Sequence, residues 1–240
     1  MMLQAKNLNV YYGGAHVIFD IDIDIVEGQF VGLFGRNGSG KSSLFRAFMG
    51  LTPPRVTGEI VFKKQNIVGL PPHKIANLGL GWVPEDRKIF PNLTVRRNLR
   101  LGIKSARHTP NKDKLFGLDE AYKYFPKLHI LRKKLGAQMS GGEQQMLTVA
   151  RTMMGNPDLV LLDEPTEGLA PNIAKDMLDM ILEIRKDFKL TAVVVEQFSA
   201  KLLPYLDHCY VMEMGEVIFS GSPDVLAKDE ALQQRLMGVG

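Results

Sequence analysis

Cysteine is nearly absent. Cys209 is the only one in 240 residues, so no disulfide can form within the chain, and a reducing compartment fits. Five scattered histidines make no cluster with the spacing of zinc ligands. Long apolar runs are also lacking: Leu159 to Leu162 is among the greasiest stretches, far short of the roughly 18 residues a membrane helix needs. The opening MMLQAKNLNV has no apolar core of a secretory signal. Neither charge sign dominates, since 30 Lys and Arg against 26 Asp and Glu give +4. With 45% hydrophobic and 23% charged residues the composition is that of a folded chain, which excludes intrinsic disorder. The expectation is a soluble cytosolic protein of one large domain or two small ones.

That balance hides an asymmetry. Asp86 to Leu135 holds 14 Lys and Arg against 4 Asp and Glu, or +10, which leaves −6 for the remainder. Such a segment reads either as a solvated helical face or as a face for an anionic membrane surface or an acidic partner. Nucleic acid is not expected as a partner, because no basic motif interleaved with aromatics appears.

Hydrophobic periodicity supplies the fold class. Residues 19–26 alternate Phe-Asp-Ile-Asp-Ile-Asp-Ile-Val, a period of two that predicts a strand with one wet face. QFVGLF at 29–34 is almost wholly apolar, as a central parallel strand is, and residues 41–50 follow as a helix. Strands are predicted at 58–62 and 79–83, helices at 94–104 and 119–126, and a loop around Thr109-Pro110-Asn111. Beyond them come a buried strand at 158–163, a helix carrying Ala174, Met177, Leu178, Ile181 and Ile184, and strands at 190–196, 208–213 and 216–219. A short helical piece closes the chain. The expected architecture is an α/β core with an N-terminal antiparallel β subdomain and an inserted α-helical subdomain at about 86–155.

Three motifs carry chemistry. Gly35-Arg36-Asn37-Gly38-Ser39-Gly40-Lys41-Ser42 matches G-x-x-x-x-G-K-[ST], for which chance gives roughly 0.01 matches in such a chain. Its glycines let successive N–H groups turn inward around phosphate, and the helix that begins at Lys41 adds its positive end. Lys41 is expected on the β- and γ-phosphates, Ser42 at Mg²⁺, and Ser43 among the residues that bind the nucleotide. Leu159-Val160-Leu161-Leu162-Asp163-Glu164 ends a buried strand in two acids, placing Asp163 as a Mg²⁺ ligand and Glu164 as the base that polarises an attacking water. Ser140-Gly141-Gly142-Glu143-Gln144-Gln145 opens a helix with capping-box spacing. Its glycine pair leaves N–H groups free for a second phosphate, one held by a partner.

GRNGSGKS, MSGGEQQ and LVLLDEP, in that order and separation, resemble the ATPase subunit of ABC transporters over essentially the whole chain. The resemblance implies a single domain over residues 1–240, with 1–85 and 156–240 as core and antiparallel sheet and about 86–155 as a helical subdomain. It implies a head-to-tail dimer with a sister ATPase, identical or not, with two ATP molecules held between one subunit's phosphate loop and the other's Ser140–Glu143 segment. Tyr12 falls where the family stacks an aromatic on adenine.

Three departures narrow the resemblance. Glu85 replaces a glutamine that ligates Mg²⁺ or water; Gln197 replaces a switch histidine, keeping a donor for γ-phosphate without titrating; Ala170 replaces an aspartate. Together, YYGG, VPE, EGLAP and VEQ resemble the second ATPase of branched-chain amino acid importers and their urea or amide relatives. That class implies ABC permease subunits as partners at the inner face of the cell membrane, fed by a solute-binding protein. Two other classes stay open to the sequence. One is a soluble ATPase of the same superfamily, against which the short insertion without sustained heptads speaks. The other is a regulatory module that binds nucleotide without turnover.

Overall fold

The computed structural model describes residues 1–104, 115–197 and 201–237. In chain order its elements are β1 (Leu3–Tyr12), β2 (Ala15–Ile25), β3 (Phe30–Phe34), α1 (Lys41–Phe48), β4 (Arg55–Phe62), β5 (Gln65–Asn66), α2 (Pro72–Leu78), β6 (Leu80–Val83), α3 (Val95–Leu101), α4 (Leu118–Tyr124), α5 (Pro126–Ile130) and α6 (Gly141–Met153). There follow β7 (Leu159–Asp163), α7 (Pro171–Phe188), β8 (Thr191–Glu196), β9 (His208–Glu213), β10 (Glu216–Gly221), α8 (Pro223–Lys228) and α9 (Glu230–Met237). The loop expected around Thr109-Pro110-Asn111 lies outside the described residues.

The chain divides into two compact units, Met1–Ile75 with Thr191–Gly240, and Ala76–Leu190. The first unit holds an antiparallel sheet in the order β2-β1-β4-β5. The alternation read in β2 is realised: Ile21, Ile23 and Ile25 are buried while Asp20 and Asp22 face solvent. The same unit holds β3 between β8 and β9, parallel to both, with β10 antiparallel on β9. Every residue of β3 is buried, which is why its sequence is a continuous apolar run. The Asp207 carboxylate fixes the entry of β3 by accepting the Phe30 N–H at 2.7 Å.

In the second unit β6 and β7 pair in parallel. The helix read from Ala174 to Ile184 is α7, with Met177, Ile181 and Ile184 buried at helical spacing. Asn98, fully buried on α3, accepts the Phe90 N–H and donates to the carbonyls of Phe90, Leu93 and Thr94, so that segment 90–94 is tied to the helix behind it. Two helices end sooner than the pattern suggested. α3 stops at Leu101, and its C-cap Gly102 packs against the Arg151 carbonyl, where a Cβ would collide. The helix expected over 119–126 ends at Tyr124, since Pro126 starts a separate helix. No helix among the described residues is long and apolar enough to cross a membrane.

Candidate functional site

The phosphate loop leaves β3 and enters α1 as the motif requires. Gly38 (φ +80) and Gly40 (φ +106) hold left-handed torsions that a side chain would strain. A Cβ on Gly35 would run into the Met212 carbonyl. Arg36, Asn37 and Gly38 form the exposed crest, while Ser39 and Lys41 are buried beneath it. The Lys41 ammonium donates to the carbonyls of Gly35 at 2.8 Å and Arg36 at 3.2 Å, so a cation sits inside the curl of its own loop. Ser39 Oγ is buried with no hydrogen-bond partner among the described residues. Ser42 and Ser43, half-buried, stand in the first turn of α1, whose positive end opens toward the crest.

Gln197, one residue past β8, donates its side-chain amide to Asn37 Oδ1 at 3.2 Å. Its side chain therefore reaches the phosphate loop. Tyr12 ends β1, half-buried. Its neighbour Tyr11, on the opposite side of the strand, stacks on His16 at 4.2 Å and lies beneath the Arg55 guanidinium.

In the second unit, Asp163 closes β7 and is 2% exposed. Glu164 follows with a left-handed backbone (φ +45) and is also buried. Carboxylate oxygens of Glu85, Glu164 and Glu167 all lie within 4.8 Å of one another. Three carboxylates so close repel one another, and a cation among them relieves that repulsion. These acids are an all-oxygen donor set of the kind that suits Mg²⁺.

The Ser140–Glu143 segment forms the predicted capping box at the start of α6. Ser140 Oγ accepts the Glu143 N–H at 3.4 Å, and Glu143 Oε2 accepts the Ser140 N–H at 2.9 Å. Lys127 pairs with the other Glu143 oxygen at 3.1 Å. Burial opposes charge on Glu143, yet the Ser140 N–H and the Lys127 ammonium hold its carboxyl below the usual carboxylate range. The glycine pair also has a packing reason that sequence reasoning did not supply. A Cβ on Gly142 would lie 3.1 Å from Ile173 Cγ2, and one on Gly141 would lie 2.9 Å from Arg87 Nη1.

Arg87 is the residue the sequence reading missed. Its carbonyl accepts from Thr148 Oγ1 at 2.8 Å and from Arg151 Nη2 at 3.2 Å, which fixes the backbone of segment 85–88 on α6. Its guanidinium stands at the positive end of that helix, an arrangement an anion would relieve. The only signal in the sequence was a basic residue two places after Glu85.

Residues 18–167 match the ABC transporter family. The chain is 35% identical to the probable branched-chain amino acid transport ATP-binding protein LivF of Archaeoglobus fulgidus, over 99% of both chains. It is 33% identical to the high-affinity branched-chain amino acid transport ATP-binding protein BraG of Pseudomonas aeruginosa, over 99% of this chain and 100% of that one. The lipopolysaccharide export system ATP-binding protein LptB of Escherichia coli K12 is 32% identical, over 98% of this chain and 97% of that one. Among solved structures, CbiO1 of Clostridium perfringens, part of the ABC transporter complex CbiONQ, superposes with a TM-score of 0.78 at 26% identity, over 99% of this chain and 95% of that one. The dimeric ATP-binding cassette MJ0796 with ADP and Pi shares the fold, with a TM-score of 0.77 at 22% identity over 92% of this chain and 99% of that one. The chain belongs to the ABC transporter family. Within it, this is an ATP-binding subunit, an ATPase.

Proposed function

We infer that this subunit is the energy-coupling ATPase of an importer for branched-chain amino acids or related amide solutes. The observation that carries the reading is full-length similarity, at 35% and 33% identity, to two proteins named for branched-chain amino acid transport. YYGG, VPE, EGLAP and VEQ support the same assignment.

In this reading Gly35 to Ser43 wrap the phosphates of ATP, and Lys41 leaves the loop carbonyls to neutralise the β- and γ-phosphates. Tyr12 stacks on the adenine. Mg²⁺ carried with ATP would neutralise phosphate charge, with Ser42, Glu85 and Asp163 as its oxygen donors. Glu164 takes the proton of the attacking water, and Gln197 donates an amide hydrogen bond to the γ-phosphate. Ser140, Gly141, Gly142 and Glu143 face the ATP of a sister subunit, so binding closes the dimer and hydrolysis reopens it. Residues 86–155 form the helical subdomain that passes this motion to ABC permease subunits at the inner face of the membrane. A solute-binding protein delivers the cargo.

Reconstitution with the candidate permeases in liposomes tests the assignment. ATP turnover should rise when a binding protein loaded with leucine, isoleucine or valine is added. Stimulation by lipopolysaccharide instead would move the chain to the export branch represented by LptB. ATPase activity without any permease association would favour the soluble class.

A further inference from the structure

We propose that the basic face built on α3 and the segment after α5 binds the anionic surface of a lipid bilayer directly. On α3, Val95, Asn98 and Leu99 are buried, and the opposite side presents Arg96, Arg97, Arg100 and Leu101 to solvent. A second stretch of chain runs against the start of this helix. The Val95 N–H donates to the Lys134 carbonyl at 2.9 Å and the Arg96 N–H to the Arg132 carbonyl at 3.1 Å, while Thr94 pairs with Leu135 in an antiparallel bridge. These backbone bonds bring Arg132, Lys133 and Lys134 beside Arg96 and Arg97. The result is a cluster of six cations.

Two properties separate this face from an ordinary solvated one. First, none of the six is ion-paired among the described residues, whereas Lys88 and Lys127 nearby are paired with Asp86 and Glu143. Burial pushes the Tyr122 hydroxyl up, against the lowering pull of the Arg96 and Arg132 charges, while Asp119 adds to the rise. Second, large apolar side chains stand exposed among the charges: Ile130 at 77%, Leu101 at 54%, Ile103 at 52% and Leu135 at 39%. Long basic side chains around aliphatic tips suit a membrane interface. The cationic heads reach phosphate while stems and tips enter the acyl boundary. The exposed apolar groups among these charges are aliphatic tips rather than rings, which favours a lipid surface over stacked bases.

The proposal deepens the reading of a transporter subunit, yet it does not depend on ATP chemistry. The full 240-residue chain is mixed with vesicles of phosphatidylcholine containing about one third phosphatidylglycerol, and with phosphatidylcholine vesicles alone. Binding should require the anionic lipid and weaken steeply with added salt. Each basic residue near such a surface contributes about fivefold, so Arg97→Gln, Arg100→Gln and Lys133→Gln together should lower partitioning about a hundredfold. The matching Arg97→Lys and Arg100→Lys pair should keep it, which separates lost charge from lost fold. Lys41→Ala should bind vesicles as the parent does even with ATP binding lost, so a failure of the nucleotide reading leaves this result standing. Equal binding to both vesicle types, indifference to the triple substitution, or no binding at low salt would overturn the proposal. Preferential binding of polyglutamate would overturn it too, assigning the face to an acidic polypeptide.

Discussion

The Gln197 side-chain amide and Asn37 Oδ1 meet at 3.2 Å, joining the end of β8 to the crest of the phosphate loop. An amide at this position donates without titrating, unlike a histidine. Turnover should therefore show no inflection near pH 6–7 that depends on this residue. Gln197→Ala should lower kcat about tenfold, the scale of one hydrogen bond, with the shape of the pH–rate profile unchanged. Gln197→His should introduce the inflection. A parent inflection that vanishes in the alanine variant would contradict the assignment.

Arg87 beside Gly141 makes the start of α6 a crowded, positive corner. Ser140→Arg adds bulk and charge on the exposed side of that corner. It should leave nucleotide binding to the isolated subunit nearly intact and abolish ATP-driven dimerisation. Equilibrium binding of a fluorescent ATP analogue, alongside size-exclusion chromatography of a slowly hydrolysing background, reads both. Lost binding in the monomer would show that the segment does not act on a partner's nucleotide.

What was legible in the sequence follows from how local each cause is. The torsions of Gly38 and Gly40, the buried run of β3 and the Ser140–Glu143 box are each contained within a few residues, so their spacing announces them. β1 was not read as a strand because its alternation loses phase. Leu3 and Ala5 point inward, a register shift follows, Asn7 takes φ +45, and Leu8 and Val10 resume on the buried side. Arg87 was illegible for the opposite reason. Its partners Gly141, Thr148 and Arg151 are distant in sequence and share no pattern with it.

Ala170 caps α7 with extended backbone and no side-chain hydrogen bond, followed by Pro171 in the first turn, where no acid stands. The geometry suits a capping carboxylate, and alanine is a poor residue there. Ala170→Asp should stabilise the fold by about 1 kcal/mol and raise Tm by about 2–4 °C. Thermal unfolding followed by circular dichroism checks this, and an unchanged or lowered Tm would show that the cap does not form.

Glu143 carries a pH dependence whose sign is set by its depressed pKa. The unfolded chain binds this proton more tightly than the folded one. The stabilisation is therefore complete above the unfolded value of about 4.3 and fades as pH falls through the lower, folded one. Glu143→Gln should cost stability at pH 7, and the gap between variant and parent should close in acid. Paired melts across that range measure it, and a gap that widened toward low pH would reverse the assignment.

Glu164 tests the chemistry itself. Its left-handed backbone turns the chain immediately after Asp163, and its carboxylate lies in the cluster with Glu85 and Glu167, a field that disfavours a further negative charge. A carboxylate there has the basic oxygen that a base for water must offer. Glu164→Gln keeps the shape and removes the basicity. It should retain ATP while turnover falls at least about 10²–10³-fold, equivalent to about 3–4 kcal/mol of transition-state stabilisation. Because the amide also removes one of three clustered charges, nucleotide affinity should rise rather than fall. A single-turnover assay with bound ATP separates the two effects: slow cleavage with tight binding supports the base, and fast cleavage would transfer that role to Glu85 or Glu167.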